Sequence, residues 1–248
     1  MEYYLPLYFQ SAKQASPLRS GLLLLPIIIT EAFTATAAGI IIHQVGRYLE
    51  LIWVGTTLLT IGIGTYIHLN ATSSVGTIIG FEILAGLGAG LLFDPPLIAL
   101  QALVSQENTA TATATFGFVN NIGISIAIVM GGVIFQNGMH LQKPNLQDHG
   151  LPRDLVEDLS GAEAAININL IAKISDPVQS LAVKQAFAWS LRNFWIMCTC
   201  MAACGLIAST LIRREVLTKE HTETQTGIKE KIDIVPVLHD GQDVARAA

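Results

Sequence analysis

Charge is what this sequence has least of. Of 248 residues, 13% are charged against 51% hydrophobic, and the mean hydropathy is +0.51. A soluble domain carries about a quarter charged residues, so an ordinary water-exposed surface is excluded. The shortage is also uneven: between residues 20 and 135 the only charges are Glu31, Arg47, Glu50, Glu82, Asp94 and Glu107. The net charge of −5 comes from the polar C-terminal part and gives no pointer to nucleic acid, which is not expected as a partner. Cysteine is scarce too. Cys198, Cys200 and Cys204 share one apolar run, where a disulfide framework makes no sense. Cys-Thr-Cys looks like half a metal site, but no histidine lies nearby and small helix-packing residues are the better reading. His140, His149, His221 and His239 are scattered. No nucleophile stands beside a base, so neither an enzyme nor a metal or other cofactor is expected.

What the chain does have is long apolar runs. A bilayer core of about 30 Å takes about 20 apolar residues per helix. Five runs qualify, at roughly 21–42, 51–69, 78–103, 113–135 and 194–212. Internal Gly and Pro, costly in soluble helices, are tolerated between membrane helices. The first ten residues, MEYYLPLYFQ, crowd aromatics around a proline before a polar break, as at the headgroup end of a membrane helix. They lack the basic lead and cleavage site of a secretory signal and are read as the end of a truncated first helix. Residues 136–193 are polar, with apolar residues at helical spacing (Leu155, Leu159, then Val178, Leu181, Ala182), and are expected to form an extracellular loop with short amphipathic helices. The tail, 213–248, has no periodicity and is expected to be disordered and cytoplasmic. Arg213 and Arg214 after the last run favour that side by the positive-inside rule. Arg47 then falls inside, and the sequon Asn70-Ala71-Thr72, a glycosylation candidate, falls outside. Lys13 and Arg19 also land outside, against the rule.

Ionisable groups inside a bilayer are costly. Glu31 lies about ten residues into its run, near the midplane, where an unpaired charge costs at least about 2.5–3.5 kcal/mol. It is either a proton site or a pore-facing hydrogen-bonding group. Asp94, beside Pro95-Pro96, is either a carboxylate for a proton or cationic substrate, or a helix-end cap. Glu82, near the outer end of its run, is expected to snorkel. Gln101, Asn120 and Asn121 either line a cavity or join helices by hydrogen bonds. Gly-Leu-Gly-Ala-Gly at 86–90 follows no strand and is read as a packing seam rather than a nucleotide loop. His43 is read as a loop residue.

Five motifs in order carry a family resemblance. YYLPLYFQ, SPLRSG, LLP and G…GRY together resemble the opening of the second half of fungal major facilitator transporters, in the drug:proton antiporter group with fourteen predicted spans. Gly39, His43, Gly46 and Arg47 fit the frame of that family's loop motif GxxxDRxGRR, with His43 in place of the acid and Gln44 in place of Arg. The stretch ILAGLGAGLLFDPPLIALQALV resembles the family's glycine-rich helix, with Asp94 where a neutral amide is usual. FGFVNNIGISIAI resembles the next helix, with Asn120 in place of a basic residue. The resemblance runs over residues 1–212. It implies an all-α membrane protein: the C-terminal six-helix bundle of a major facilitator fold, its first helix truncated. It also implies one half of a proton-coupled exporter of drugs, toxins or secondary metabolites, in the plasma membrane or the vacuolar membrane. The partners would be lipid, a small-molecule substrate, protons and the missing N-terminal half. The alternative is a non-transporting remnant or a regulatory half that associates with another transporter.

Overall fold

Helix boundaries follow local chemistry. The computed structural model describes residues 2–212; Arg213, Arg214 and the rest of the tail lie outside the described residues. The short helix α1 (Leu5–Ser11) turns into α2 (Pro17–Leu23), where Ser16 caps by accepting from the Arg19 N–H. Pro26 sits at the start of α3 (Leu25–Val45) and staggers it from α2. Gly46 ends α3 with φ +70°, the left-handed conformation that glycine takes without a Cβ penalty. Next come α4 (Leu49–Thr65), extended by a 3-10 turn to His68, and α5 (Val75–Leu91), started by a Ser74 cap. Asp94-Pro95-Pro96 breaks α5 from α6 (Pro95–Ala102). Long helices α7 (Thr109–Leu141) and α10 (Pro177–Ser209) flank a connecting segment with two short helices, α8 (Lys143–Asp148) and α9 (Arg153–Asp158). Among the described residues the structure is all helical, and five stretches are long and apolar enough to cross a membrane: Pro17–Val45, Leu49–His68, Val75–Ala102, Gln106–Asp148 and Pro177–Ser209.

The connecting segment is shorter than the sequence reading of 136–193. Residues 136–141 continue α7, and residues 177–193 open α10. Val178, Leu181 and Ala182 are the first turns of one 33-residue helix, started by Asp176 accepting from the Val178 N–H at 2.9 Å, with Pro177 at its first position. Nothing interrupts α10 within Pro177–Ser209, so the polar, amphipathic stretch forms its first turns.

Helix pairing is set by missing side chains. On α5, Gly86 and Gly90 face α3: a methyl carbon on Gly86 would stand 2.8 Å from Ile27 O, and one on Gly90 2.5 Å from Glu31 O. Asp94, four residues on, reaches the same row, its Oδ2 4.0 Å from where a Gly39 Cβ would lie. Because 86, 90 and 94 meet progressively later residues of α3, the two helices run parallel. The other face of α5 meets α4 in the opposite order: Gly88 abuts the Leu59 backbone, Ala85 abuts Gly62 and Leu91 abuts Gly55, so α4 and α5 are antiparallel. The 86–90 glycine run is thus a two-sided packing seam, as the sequence suggested.

The rest of the bundle is built outward from α4. α10 packs antiparallel to it, through Trp53 Nε1 donating to Ser209 O at 3.1 Å and an edge contact of Tyr66 with Trp195. α7 packs on α10 through Gly138 against Ser190 and Phe135 against Phe187. α1 wedges in at one end, where Tyr4 stacks near Phe194 and donates to Ile128 O. Tyr8 there donates to Asn70 O at 2.8 Å. Lys13 latches the same end, donating to Ala71 O at 2.8 Å and to Ser73 O; its burial pushes the ammonium pKa down. The turns around residues 12–16, 69–74 and 142–176 therefore share one end of the bundle, the loop end. Gly46 and Asp94 lie at the other.

Two alanine substitutions separate this packing from helix propensity. Gly88→Ala puts a methyl into the Leu59 backbone and should destabilise the purified protein by about 1–3 kcal/mol, seen as earlier thermal unfolding in detergent. Gly80→Ala, with nothing within 4 Å, should be neutral or stabilising by up to about 1 kcal/mol. Equal behaviour of the two variants would mean that α4 and α5 do not meet at Gly88.

Candidate functional site

Four oxygen-bearing side chains converge in the loop-end half of the bundle. Glu82 occupies the same α5 row as Gly86, one turn earlier, and is 0% exposed. Neither carboxyl oxygen has a hydrogen-bond partner among the described residues. Tyr66, where the α4 span gives way to its 3-10 turn, is also 0% exposed, with its hydroxyl unpartnered. Its charged neighbours are Glu82 and Glu2. Glu31, half-buried on α3, lies carboxyl to carboxyl beside Glu2. Among the described residues no ion pair reaches Glu31 or Glu82.

Such a group of acids and a phenol, without a basic partner, is costly wherever water is excluded. Its chemistry is narrow: the carboxyl groups can hold a proton or a small cation, and the phenol can donate or accept. A structural cluster would pair its polar atoms, as most buried groups do. This one leaves three oxygens open.

Glu82 was missed by sequence reasoning. Its place near the end of an apolar run suggested snorkelling to water; instead the α3 start and the α4 end cover it. The signal was there in the spacing, since residues 82, 86, 90 and 94 recur at four and the middle two are the seam glycines. Tyr66 gave no signal of its own.

The other sequence candidates are not brought to this cluster. Asp94 sits at the head of α6 and makes no side-chain cap. It lies about 12 Å along the helix axis from the level of Glu31, counting the eight residues between Glu31 and Gly39 at 1.5 Å each. The Gln101 amide donates to Thr113 Oγ1 at 3.0 Å, tying α6 to α7. Asn120 and Asn121 are exposed on α7. In the loop motif, Gly39 leaves room for Asp94, and Gly46 closes α3 by donating its N–H to Ile42 O at 2.7 Å. Arg47 pairs with Glu50 at 3.9 Å on the surface, a contact worth little. His43 is not in a loop: it lies in the last turn of α3, because the helix runs on to Val45. Asn70 is exposed, its Oδ1 accepting from both the N–H and the hydroxyl of Thr72 at 2.8 Å.

The chain is 37% identical over 226 residues to an MFS-type transporter, ppz2, of Metarhizium majus, covering 91% of this chain and 39% of that protein. It is 36% identical to the efflux pump dotC of Dothistroma septosporum, covering 92% of this chain and 38% of the pump. It is 32% identical to the efflux pump FUS6 of Gibberella fujikuroi, covering 92% and 41%. The chain thus spans about two fifths of the length of the curated relatives it matches. No family model and no solved structure matches it.

Removing an unpartnered hydroxyl removes no hydrogen bond. Tyr66→Phe should therefore leave the thermal unfolding temperature of the purified protein unchanged or slightly raised, since burying a bare hydroxyl costs about 1–3 kcal/mol. A clear loss of stability would mean that the hydroxyl is engaged.

Proposed function

From a chain related to the fungal efflux group of the major facilitator superfamily, we propose the C-terminal helix bundle of a proton-coupled exporter of small, mostly apolar organic molecules. It is a multi-pass membrane protein, and its relatives are named as transporters and efflux pumps rather than enzymes. The observation that carries the finer reading is the acid–phenol cluster, with Glu82 sealed and unpartnered and Glu31 half-open beside Glu2.

Transporters of this kind bind substrate between two helix bundles and rock one against the other. A carboxyl group at that level must be cheap to move when neutral and costly to strand when charged. Glu31 is the coupling group in this reading, because it is the cluster member on a spanning helix that is still partly open. Glu82 and Tyr66 supply a dry second site against which its charge is felt. Asp94, Gln101, Asn120 and Asn121 serve the substrate path, and Gly39, His43, Gly46 and Arg47 the turn at the far end. The companion N-terminal bundle, the plasma membrane and an outward loop end belong to the same proposal. Arg213 and Arg214, which follow the last span in sequence, support that orientation. No observation favours a non-transporting remnant or a regulatory half.

A chimera tests the reading. The chain joined to the portion of the Dothistroma pump that it does not cover should lower accumulation of fluorescent drugs in yeast, in an energy-dependent way. The chain alone should match the empty vector. Within the chimera, Glu31→Gln keeps shape but removes the titratable proton, so it should abolish proton-driven export at unchanged abundance. A chimera that reaches the plasma membrane in full amount and exports nothing contradicts the proposal. Export by the Gln variant with the parental pH dependence removes Glu31 from the proton path.

A further inference from the structure

The loop end holds a cavity that the transport reading does not use. It has a volume of about 580 Å³ and lies between the end of α4, the α7–α8 junction and α10. That is within the range of sites for drug-sized ligands, roughly 300–1,000 Å³. Its ionisable lining is Arg192 and His68, and no carboxylate lines it. The Arg192 guanidinium has no ion-pair partner among the described residues. Trp189, one turn earlier on α10, lines the same wall with 37% of its surface open. Thr72 and four carboxamides, Asn70, Gln142, Asn145 and Gln185, complete the polar lining.

These groups have a common chemistry. A guanidinium presents a flat fork that a carboxylate fills with two parallel hydrogen bonds. An indole face beside it takes an aromatic ring by stacking. Carboxamides offer donors and acceptors to substituents on that ring. Residues 185, 189 and 192 of α10 are three and four apart, so they fall on one face of the helix. The wall is rigid because the opposite face of α10 is buried at Val183, Phe187, Leu191 and Phe194.

We propose that this cavity binds a small aromatic carboxylate, with Arg192 on the carboxylate and Trp189 against the ring. Its lining shares no residue with the Glu31–Glu82 cluster, and the proposal stands whether or not the bundle transports protons.

A matched pair of probes isolates the charge. Isothermal titration of the purified 248-residue chain in detergent, with 4-nitrobenzoate and its neutral amide 4-nitrobenzamide, should show the carboxylate binding about tenfold tighter, the scale of one charge-assisted contact. Arg192→Gln should bring the carboxylate down to the amide. Gln185→Glu, which places an acid on the same wall, should weaken the carboxylate and spare the amide. Trp189→Leu should weaken both, and His43→Gln, at the far end, neither. Arg192, Gln185 and Trp189 are all exposed, so the variants are expected to keep the parental unfolding temperature, which is measured alongside. Equal binding of the two probes to the parent, no saturable binding of the carboxylate, or an undiminished preference in Arg192→Gln would each overturn the proposal.

Discussion

Backbone-to-backbone contact along α5 is the constraint on which the rest of this bundle depends. In a bilayer the hydrophobic effect does not draw helices together, since lipid tails are as apolar as leucine. What remains is close van der Waals contact, and that requires small residues at the crossing. Gly86 and Gly90 let α3 approach until its carbonyl oxygens lie against the α5 backbone, and Gly88 does the same for α4 on the other side. Because the glycines alternate between the two neighbours, one helix fixes the register of both. α10 then takes its place on α4, and α7 on α10.

This seam also determines what happens to the acids at its two ends. The row that carries Gly86 and Gly90 continues to Glu82 in one direction and to Asp94 in the other. Where α3 and α4 close over the row, Glu82 is sealed from solvent and left without a partner. Where the prolines break the helix, Asp94 stays half-open beside Gly39. The two acids thus meet different surroundings, and only Glu82 joins Tyr66 and the carboxyl pair of Glu2 and Glu31.

Much of this was legible in the sequence. The five spans follow from apolar runs of bilayer length, the turn at Gly46 from a glycine in a turn motif, and the seam from Gly-Leu-Gly-Ala-Gly. Span ends were less legible. The first turns of α10 are amphipathic because they line the loop end, and amphipathic spacing does not say whether a helix stops or continues. Glu82 was misread because depth along a run says nothing about which side of the helix a residue faces; the four-residue row with the glycines does. The cavity at Arg192 could not be read at all, since its walls come from three segments far apart in the chain. Asn120 and Asn121, read as amides that either line a cavity or join helices, lie on the open face of α7.

The central physical claim is that α3 and α5 lie side by side in parallel, in register from Gly86 through Gly90 to Asp94. Disulfide cross-linking in membranes reads that register directly. Gly39→Cys and Asp94→Cys would be introduced into a chain whose Cys198, Cys200 and Cys204 are replaced by serine, with a protease site placed in the turn between α4 and α5. After mild oxidation and cleavage, the two fragments should stay joined and separate only on reduction. Fragments that separate without reductant would contradict the register, and with it the burial of Glu82 and the cluster built around it.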